Sequence, residues 1–286
     1  MLKLGIIGAG TVGTALAVRL KSKGYAIVAV ASRGQESVER FTRYIGNNKS
    51  IICSGQGVAD RAELVFITTP DDIIEPVTKQ IQWHVGQSVV HCSGADSVDI
   101  LESARQSGAH VGGFHPLQTF ASIDYAIDNL PGSTFALEAE EPLLSPLKEM
   151  VAVLDGYWIK LETKDKVLYH AAAVISCNYL VTLLKLATDL WEQFGVSRPD
   201  AVRALLPLLR GTVGNIANVG LPDCLTGPIA RGDVGTIKKH LGSLAQSAPA
   251  LLPIYQRLGW ETIPIALEKG RLDKGKAEEM CQLLQK

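Results

Sequence analysis

Three things are scarce in this sequence. Its five cysteines, Cys53, Cys92, Cys177, Cys224 and Cys281, include no C-x-x-C pair. Such a scattered, odd-numbered set argues against a disulfide framework or a zinc site and points to reduced thiols in a cytoplasm. Neither sign of charge is in excess: 28 Lys and Arg face 29 Asp and Glu, a formal net charge of −1. Nucleic acid and acidic membrane surfaces therefore find no electrostatic partner. Apolar runs of bilayer length without polar interruption are missing too. The most apolar helical stretch, Ala171 to Leu186, contains Asn178 and Lys185 and follows Lys164, Asp165 and Lys166. It reads as a core or interface helix rather than a membrane span. The chain shows no internal repeat and no low-complexity tract, and its first strand begins at residue 3, so no leader is expected ahead of the fold.

What is present is apolar material for a large core, 47% of 286 residues, enough for two domains. Leu4 to Ile7 reads as a buried strand that runs into Gly8-Ala9-Gly10-Thr11-Val12-Gly13, and Thr14 to Leu20 reads as a helix. In a strand–G-x-G-x-x-G–helix unit Gly8 permits the tight turn. Gly10 lets a pyrophosphate reach the backbone, and Gly13 lets helix and strand pack closely. The free amides of the first helical turn, around Thr11 and Val12, then hold the phosphates. A second strand, Tyr25 to Ala31, ends in Ser32-Arg33-Gly34. An acidic residue at that place would hold the ribose of NAD; a hydroxyl and a guanidinium suit the 2′-phosphate of NADP.

Ser37 to Ile45 is expected as a helix and Ile51-Ile52 as a short strand. Leu64 to Thr69 is a buried strand, and its carboxyl end makes Thr68, Thr69 and Pro70 cofactor-loop candidates. Asp71 and Asp72 are expected to cap the following helix. Two further strands, Ser88 to His91 and Val111 to Phe114, run into Cys92-Ser93-Gly94-Ala95 and His115-Pro116-Leu117-Gln118. His91, Ser93 and His115 thus form a compact set of proton-transfer groups in the first half. His91 reads equally well as a turn residue capping a carbonyl. Pro116 gives His115 an extended, aimed backbone. Strands Ser133 to Leu137 and Tyr157 to Leu161 flank a helix from Glu141 to Leu154.

After Leu161 helical periodicity takes over. The expected architecture is α/β: a Rossmann dinucleotide-binding domain over residues 1–162 and an all-helical domain over 163–286. The helical half opens with a helix from Asp165 to Phe194, too long for a small domain to cover, so an intersubunit bundle and a homodimer are expected. Helices Pro199 to Val219, kinked at Pro207, Val234 to Leu244 behind an Asp233 cap, Pro249 to Leu258 and Asp273 to Leu284 follow.

The strings His91-Cys-Ser-Gly-Ala, Gly113-Phe-His-Pro-Leu-Gln-Thr-Phe, Tyr169-His-Ala-Ala-Ala-Val and Thr226-Gly-Pro-Ile-Ala-Arg-Gly-Asp resemble one family across essentially the whole chain. It comprises bacterial Rossmann-like proteins with a C-terminal helical domain of unknown function, provisionally described as NADP oxidoreductases. The resemblance implies the fold and NADP but names no substrate. In plan the chain is also similar to ketopantoate reductases, pyrroline-5-carboxylate reductases, beta-hydroxyacid dehydrogenases and prephenate dehydrogenases. Ketopantoate reductases open their helical domain with a catalytic Lys followed by Asn at the fourth and eighth places, which here read His170, Val174 and Asn178. The functional His-Pro of prephenate dehydrogenases resembles His115-Pro116.

His170 and Asn178 stand about 80° apart on a continuous helix and could face one cleft. Thr226, Arg231 and Asp233 belong to a loop expected to close over it, with Arg231 suited either to a substrate carboxylate or to an ion pair with Asp233. The expectation is hydride transfer at the domain interface to or from a small carbonyl, hydroxyl or imine compound. His115 is the proton donor or acceptor, Ser93 orients the substrate oxygen, His170 and Asn178 support, and no metal is needed. A dinucleotide-binding sensor without turnover is the alternative. The residues do not distinguish a nicotinamide from a deazaflavin as the redox partner.

Overall fold

A computed structural model describes residues 2–285, the side chain of Ser50 excepted. Seven strands form one sheet: β1 Lys3–Ile7, β2 Ala26–Ala31, β3 Leu64–Ile67, β4 Ser88–His91, β5 His110–Leu117, β6 Thr134–Glu138 and β7 Tyr157–Lys160. Their order is β2-β1-β3-β4-β5-β6-β7. All pairs are parallel except β5 with β6. Between them run helices α1 Thr11–Ser22, α2 Gln35–Tyr44, α3 Gly55–Ala59, α4 Asp71–Lys79, α5 Glu102–Gln106, α6 Ile123–Asn129 and α7 Leu144–Val153. Parallel strands covered on both faces read as continuous apolar runs, and every residue of β3 is buried. Two buried clusters line the faces, one around Leu16, Phe66 and Phe114, the other around Ile67, Val89 and Leu101.

The chain continues through α8 Lys166–Ser176, α9 Asn178–Glu192, α10 Arg198–Val219, α11 Val234–Ser247, α12 Leu252–Glu268 and α13 Lys274–Leu284. The last strand ends at Lys160, whereas the two compact units divide later, after Cys177. Helix α8 belongs with the sheet. The second unit has its own core around Ile237, Ile263, Ala266 and Met280.

Several local expectations change. The segment at Ile51-Ile52 is not a strand but a 3-10 turn, Lys49–Ile51, followed by a single bridge from Ile52 to Val30. Asp71 and Asp72 lie inside the first turn of α4, whose cap is Pro70. The long helix from Asp165 to Phe194 is interrupted: Cys177, at φ −113° and ψ −65°, separates α8 from α9. The Ser176 hydroxyl donates back to the Ala172 carbonyl at 2.9 Å, a bond that bends helices.

The consequential change is in β5, which does not stop at Phe114. Its last pair with β4 is His91 with Gly113, yet antiparallel β6 keeps it in register to Leu117, pairing His115 with Ala136. β6 therefore carries His115 two residues beyond the shared carboxyl edge of the parallel strands.

Candidate functional site

The glycine loop has the geometry that each of its residues demands. Gly8 has φ +109°, where an L side chain is strained, and an added Cβ would stand 2.7–2.8 Å from the Thr68–Thr69 backbone. A Cβ on Gly13 would lie 2.3 Å from both the Gly8 carbonyl and Thr68 Oγ1. At Gly10 nothing lies within 4 Å. Gly10 is also the N-cap of α1 and provides no side-chain cap, so the amides of Thr11, Val12 and Gly13 are left for an external acceptor.

These amides adjoin a cavity of about 430 Å³ walled by Gly8, Gly10, Ser32, Arg33, Thr69 and Pro70, with Ser37 and Cys53 beside them. The Thr69 hydroxyl is buried and has no hydrogen-bond partner. An open helix N-terminus, an orphaned hydroxyl and an exposed Arg33 where an acid would favour NAD all fit an anionic dinucleotide. A larger recess of about 660 Å³ opens at the start of β5 among Arg105, His110, Glu140 and Lys160, and it includes neither the glycine loop nor His115.

Beyond the sheet edge, β5 meets the start of α8 through side chains, at Gly113 with Lys166 and at His115 with Tyr169 and His170. Gly113 leaves the room that the Lys166 ammonium uses: a Cβ there would lie 3.2 Å from Nζ. One turn on, His115 Nδ1 and the Tyr169 hydroxyl are 2.8 Å apart, with the rings perpendicular. The His170 ring centroid lies 6.4 Å from that of His115. Gly94 sits against both imidazoles; a Cβ on it would be 2.7 Å from His170 Cδ2 and 2.8 Å from His115 Nε2. Among the described residues none bonds His115 Nε2, which leaves that nitrogen to a ligand.

Burial, then Lys166 and then His170, lowers the His115 pKa to about 4. Its titration therefore lies well below the near-neutral range that an ordinary imidazole suggests, and His115 is neutral at pH 7. Burial raises the Tyr169 hydroxyl to about 12. His91 has no exposed surface, and its Nδ1 accepts from the Ser93 amide at 3.1 Å. Burial, with Lys166 and His115, pushes its pKa down to about 3. His91, the last residue of β4, thus uses its ring to hold the start of the following loop.

Ser93 differs from its expected role. Its hydroxyl, almost fully buried, lies 2.9 Å from Asp71 Oδ2 and 3.1 Å from Asp96 Oδ2, and it accepts from the amides of Ala95 and Asp96. Its one proton goes to one of these carboxylates, so it shapes the loop and has none to spare for a substrate oxygen. Asn178, Thr226 and Arg231 belong to the second unit and are exposed. The interruption at Cys177 removes the helical phase that would relate Asn178 to His170. Asp233 does cap α11, accepting from the Thr236 amide at 3.0 Å and hydroxyl at 2.7 Å. It forms no ion pair with Arg231 among the described residues. Nor do those residues contain a group of His, Cys, Asp and Glu able to hold a metal.

Sequence reasoning did not single out Gly94, Glu138, Lys166 or Tyr169 as site residues. Lys166, Tyr169 and His170 stand at i, i+3 and i+4, a helical face that the spacing alone could have disclosed. Glu138, at the end of an apolar strand, offered no comparable signal.

Residues 1–116 match the Rossmann-like domain family, and residues 133–262 match a domain of unknown function, DUF2520. No curated protein matches the sequence. A Bacteroides fragilis protein provisionally assigned as an NADP oxidoreductase is 24% identical, with 92% of this chain and 98% of that one covered and a TM-score of 0.71. A Thermotoga maritima protein is 23% identical, with coverage of 94% and 100% and a TM-score of 0.73. The Plasmodium falciparum pyrroline carboxylate reductase, solved with NADP bound, is 17% identical, with coverage of 94% and 97% and a TM-score of 0.59. At such identities the likeness establishes the fold. The chain is a Rossmann-like protein that carries a DUF2520 domain.

Proposed function

We propose that the protein is an NADP-dependent oxidoreductase acting on a small carbonyl, hydroxyl or imine compound, with His115 handling the proton. The observation that carries this reading is the placement of His115. Its unpartnered Nε2 stands just past the carboxyl edge of the sheet whose first turn is built for a pyrophosphate. NADPH, when bound, supplies the hydride. The amides of Thr11 to Gly13 would hold the pyrophosphate, and Ser32 and Arg33 would take the 2′-phosphate. The two NADP-related fold neighbours support this choice of cofactor.

With the Tyr169 hydroxyl donating to Nδ1, Nε2 of the neutral imidazole carries the proton. In carbonyl reduction Nε2 would give its proton to the substrate oxygen. Nδ1 receives the hydroxyl proton of Tyr169, which solvent replaces. The relay leaves neither an imidazolium nor a tyrosinate, the two species that pKa values of about 4 and about 12 disfavour. Alcohol oxidation uses the same bonds in reverse. Asn178, Thr226 and Arg231 enter none of these steps.

A panel of keto acids, aldehydes and imines, followed by NADPH absorbance, tests the reading. Turnover of one class, lowered about 10²–10⁴-fold by His115→Asn with NADPH affinity kept, is the expected result. NADPH binding without turnover on any member favours a dinucleotide sensor instead.

The homodimer belongs to the same proposal. The stretch from Thr163 to Glu192 is long and apolar enough to cross a membrane, and none of its most apolar window is buried. Val167, Leu168 and Ile175 on α8 and Tyr179 and Val181 on α9 are all more than half exposed. A second copy is the proposed cover, because Lys185 and Asp189 pair across one turn within this stretch.

A further inference from the structure

The ion pair between Lys166 and Glu138 is buried more deeply than solubility or stability requires. Lys166 is 2% and Glu138 6% exposed, with Nζ and Oε2 3.3 Å apart. Burying two charges costs several kcal/mol per ion before attraction offsets it, and an apolar pair of equal volume is often as stable. Every other contact of the pair ties a separate segment to the candidate site. Lys166 Nζ donates to the Ser93 carbonyl at 3.2 Å, in the loop that holds Gly94 against both imidazoles. Glu138 accepts from the Val98 amide at 3.2 Å and from the Thr163 hydroxyl at 2.7 Å, just ahead of α8.

We propose that Lys166, clamped by Glu138, is the positioning residue of this site: it joins β6, the β4 loop and the first turn of α8, setting His115 against Tyr169 and Gly94. The proposal deepens the oxidoreductase reading and rests on it for its catalytic meaning. The clamp also works electrostatically. The charged and titratable groups about His115 are Lys166, Tyr169 and His170 on α8, His91 and Cys92 at the end of β4, Asp71 on α4, Asp96 in the loop and Glu138 on β6. Among them Lys166 is the principal charge opposing protonation of His115. Burial lowers the Lys166 pKa, and Glu138 counteracts this. The pair thus holds the imidazole in place, and Lys166 adds to burial in disfavouring its charged form.

The test reads His115 directly and needs neither cofactor nor substrate, so its failure is separate from that of the oxidoreductase reading. Proton–nitrogen correlation spectra of the imidazoles are recorded against pH for the unmodified protein, the double variant K166M/E138Q and the single variant K166Q. His115 is assigned by its loss in His115→Asn. The expected result is that His115 titrates about one pH unit or more higher in either variant. If a substrate is in hand, K166R should retain turnover and K166M/E138Q should lose kcat with little change in KM for NADPH. An unshifted His115 in the folded variants overturns the proposal. Should neither variant fold, the Lys166 side-chain carbon resonance decides it in the unmodified protein. An ammonium that persists through pH 7 supports the clamp, and a neutral amine at pH 7 overturns it.

Discussion

His115 and Tyr169 come from positions 54 apart in the sequence and meet at 2.8 Å, imidazole Nδ1 to phenol oxygen. The contact leaves Nε2 as the ring nitrogen without a partner among the described residues, close to the bare Cα of Gly94. Gly94→Ala should therefore disturb this pair more than it disturbs the fold. The added methyl would stand 2.7–2.9 Å from His170 and His115, and both rings can rotate away from it. Turnover should drop about 10–100-fold, with NADPH affinity and melting temperature nearly unchanged. A large fall in melting temperature would mean that Gly94 serves the loop and not the imidazoles.

Two glycines of the same motif should behave oppositely. Gly13→Ala drives a methyl into the Gly8 carbonyl and Thr68 Oγ1, so it should destabilise the fold by about 1–3 kcal/mol or more. Gly10→Ala meets nothing within 4 Å and should fold normally while weakening NADPH binding. Chemical denaturation beside calorimetric titration separates the two effects.

Arg33 is exposed at the rim of the glycine-loop cavity and forms no ion pair among the described residues. Arg33→Ala should cost about 10- to 100-fold in NADPH affinity and little in NADH affinity. Equal affinities of the unmodified protein for the two cofactors would defeat the NADP assignment.

His91 and His115 also set a pH dependence of stability. Their folded pKa values, about 3 and about 4, lie below the ordinary 6.5. Above that value both states are neutral and the two side chains make no difference. As pH falls below it, only the unfolded chain takes up these protons. Stability should then decline by about 1.4 kcal/mol per pH unit for each histidine until its folded pKa is reached. Urea titrations between pH 7 and 4.5 should show the decline, and His91→Gln should roughly halve it.

Sedimentation should find a dimer at micromolar concentration. Charged substitutions at Leu168 and Val181, both exposed on the apolar stretch, should yield a monomer. Obligate interfaces bury on the order of 2,000 Å² or more and tolerate such charges poorly. A stable monomer of the unmodified chain would remove this part of the proposal.

By itself the sequence determined the local units. Leu4 to Ile7, the three glycines and the helix after them are legible because each needs only its neighbours: an apolar run, a positive φ, an open helix end. The Asp233 cap and the order of most strands and helices are readable for the same reason. Tertiary structure decided the chemistry around His115. Only pairing with β6 extends β5 past the sheet edge, and Gly113 leaves Lys166 room beside it. The break at Cys177 carries no proline or glycine to announce it, and it separates α8 from the helix that the sequence suggests is continuous. A pKa of about 4 for His115 depends on burial and on a lysine 51 positions away, quantities that no stretch of neighbouring residues contains.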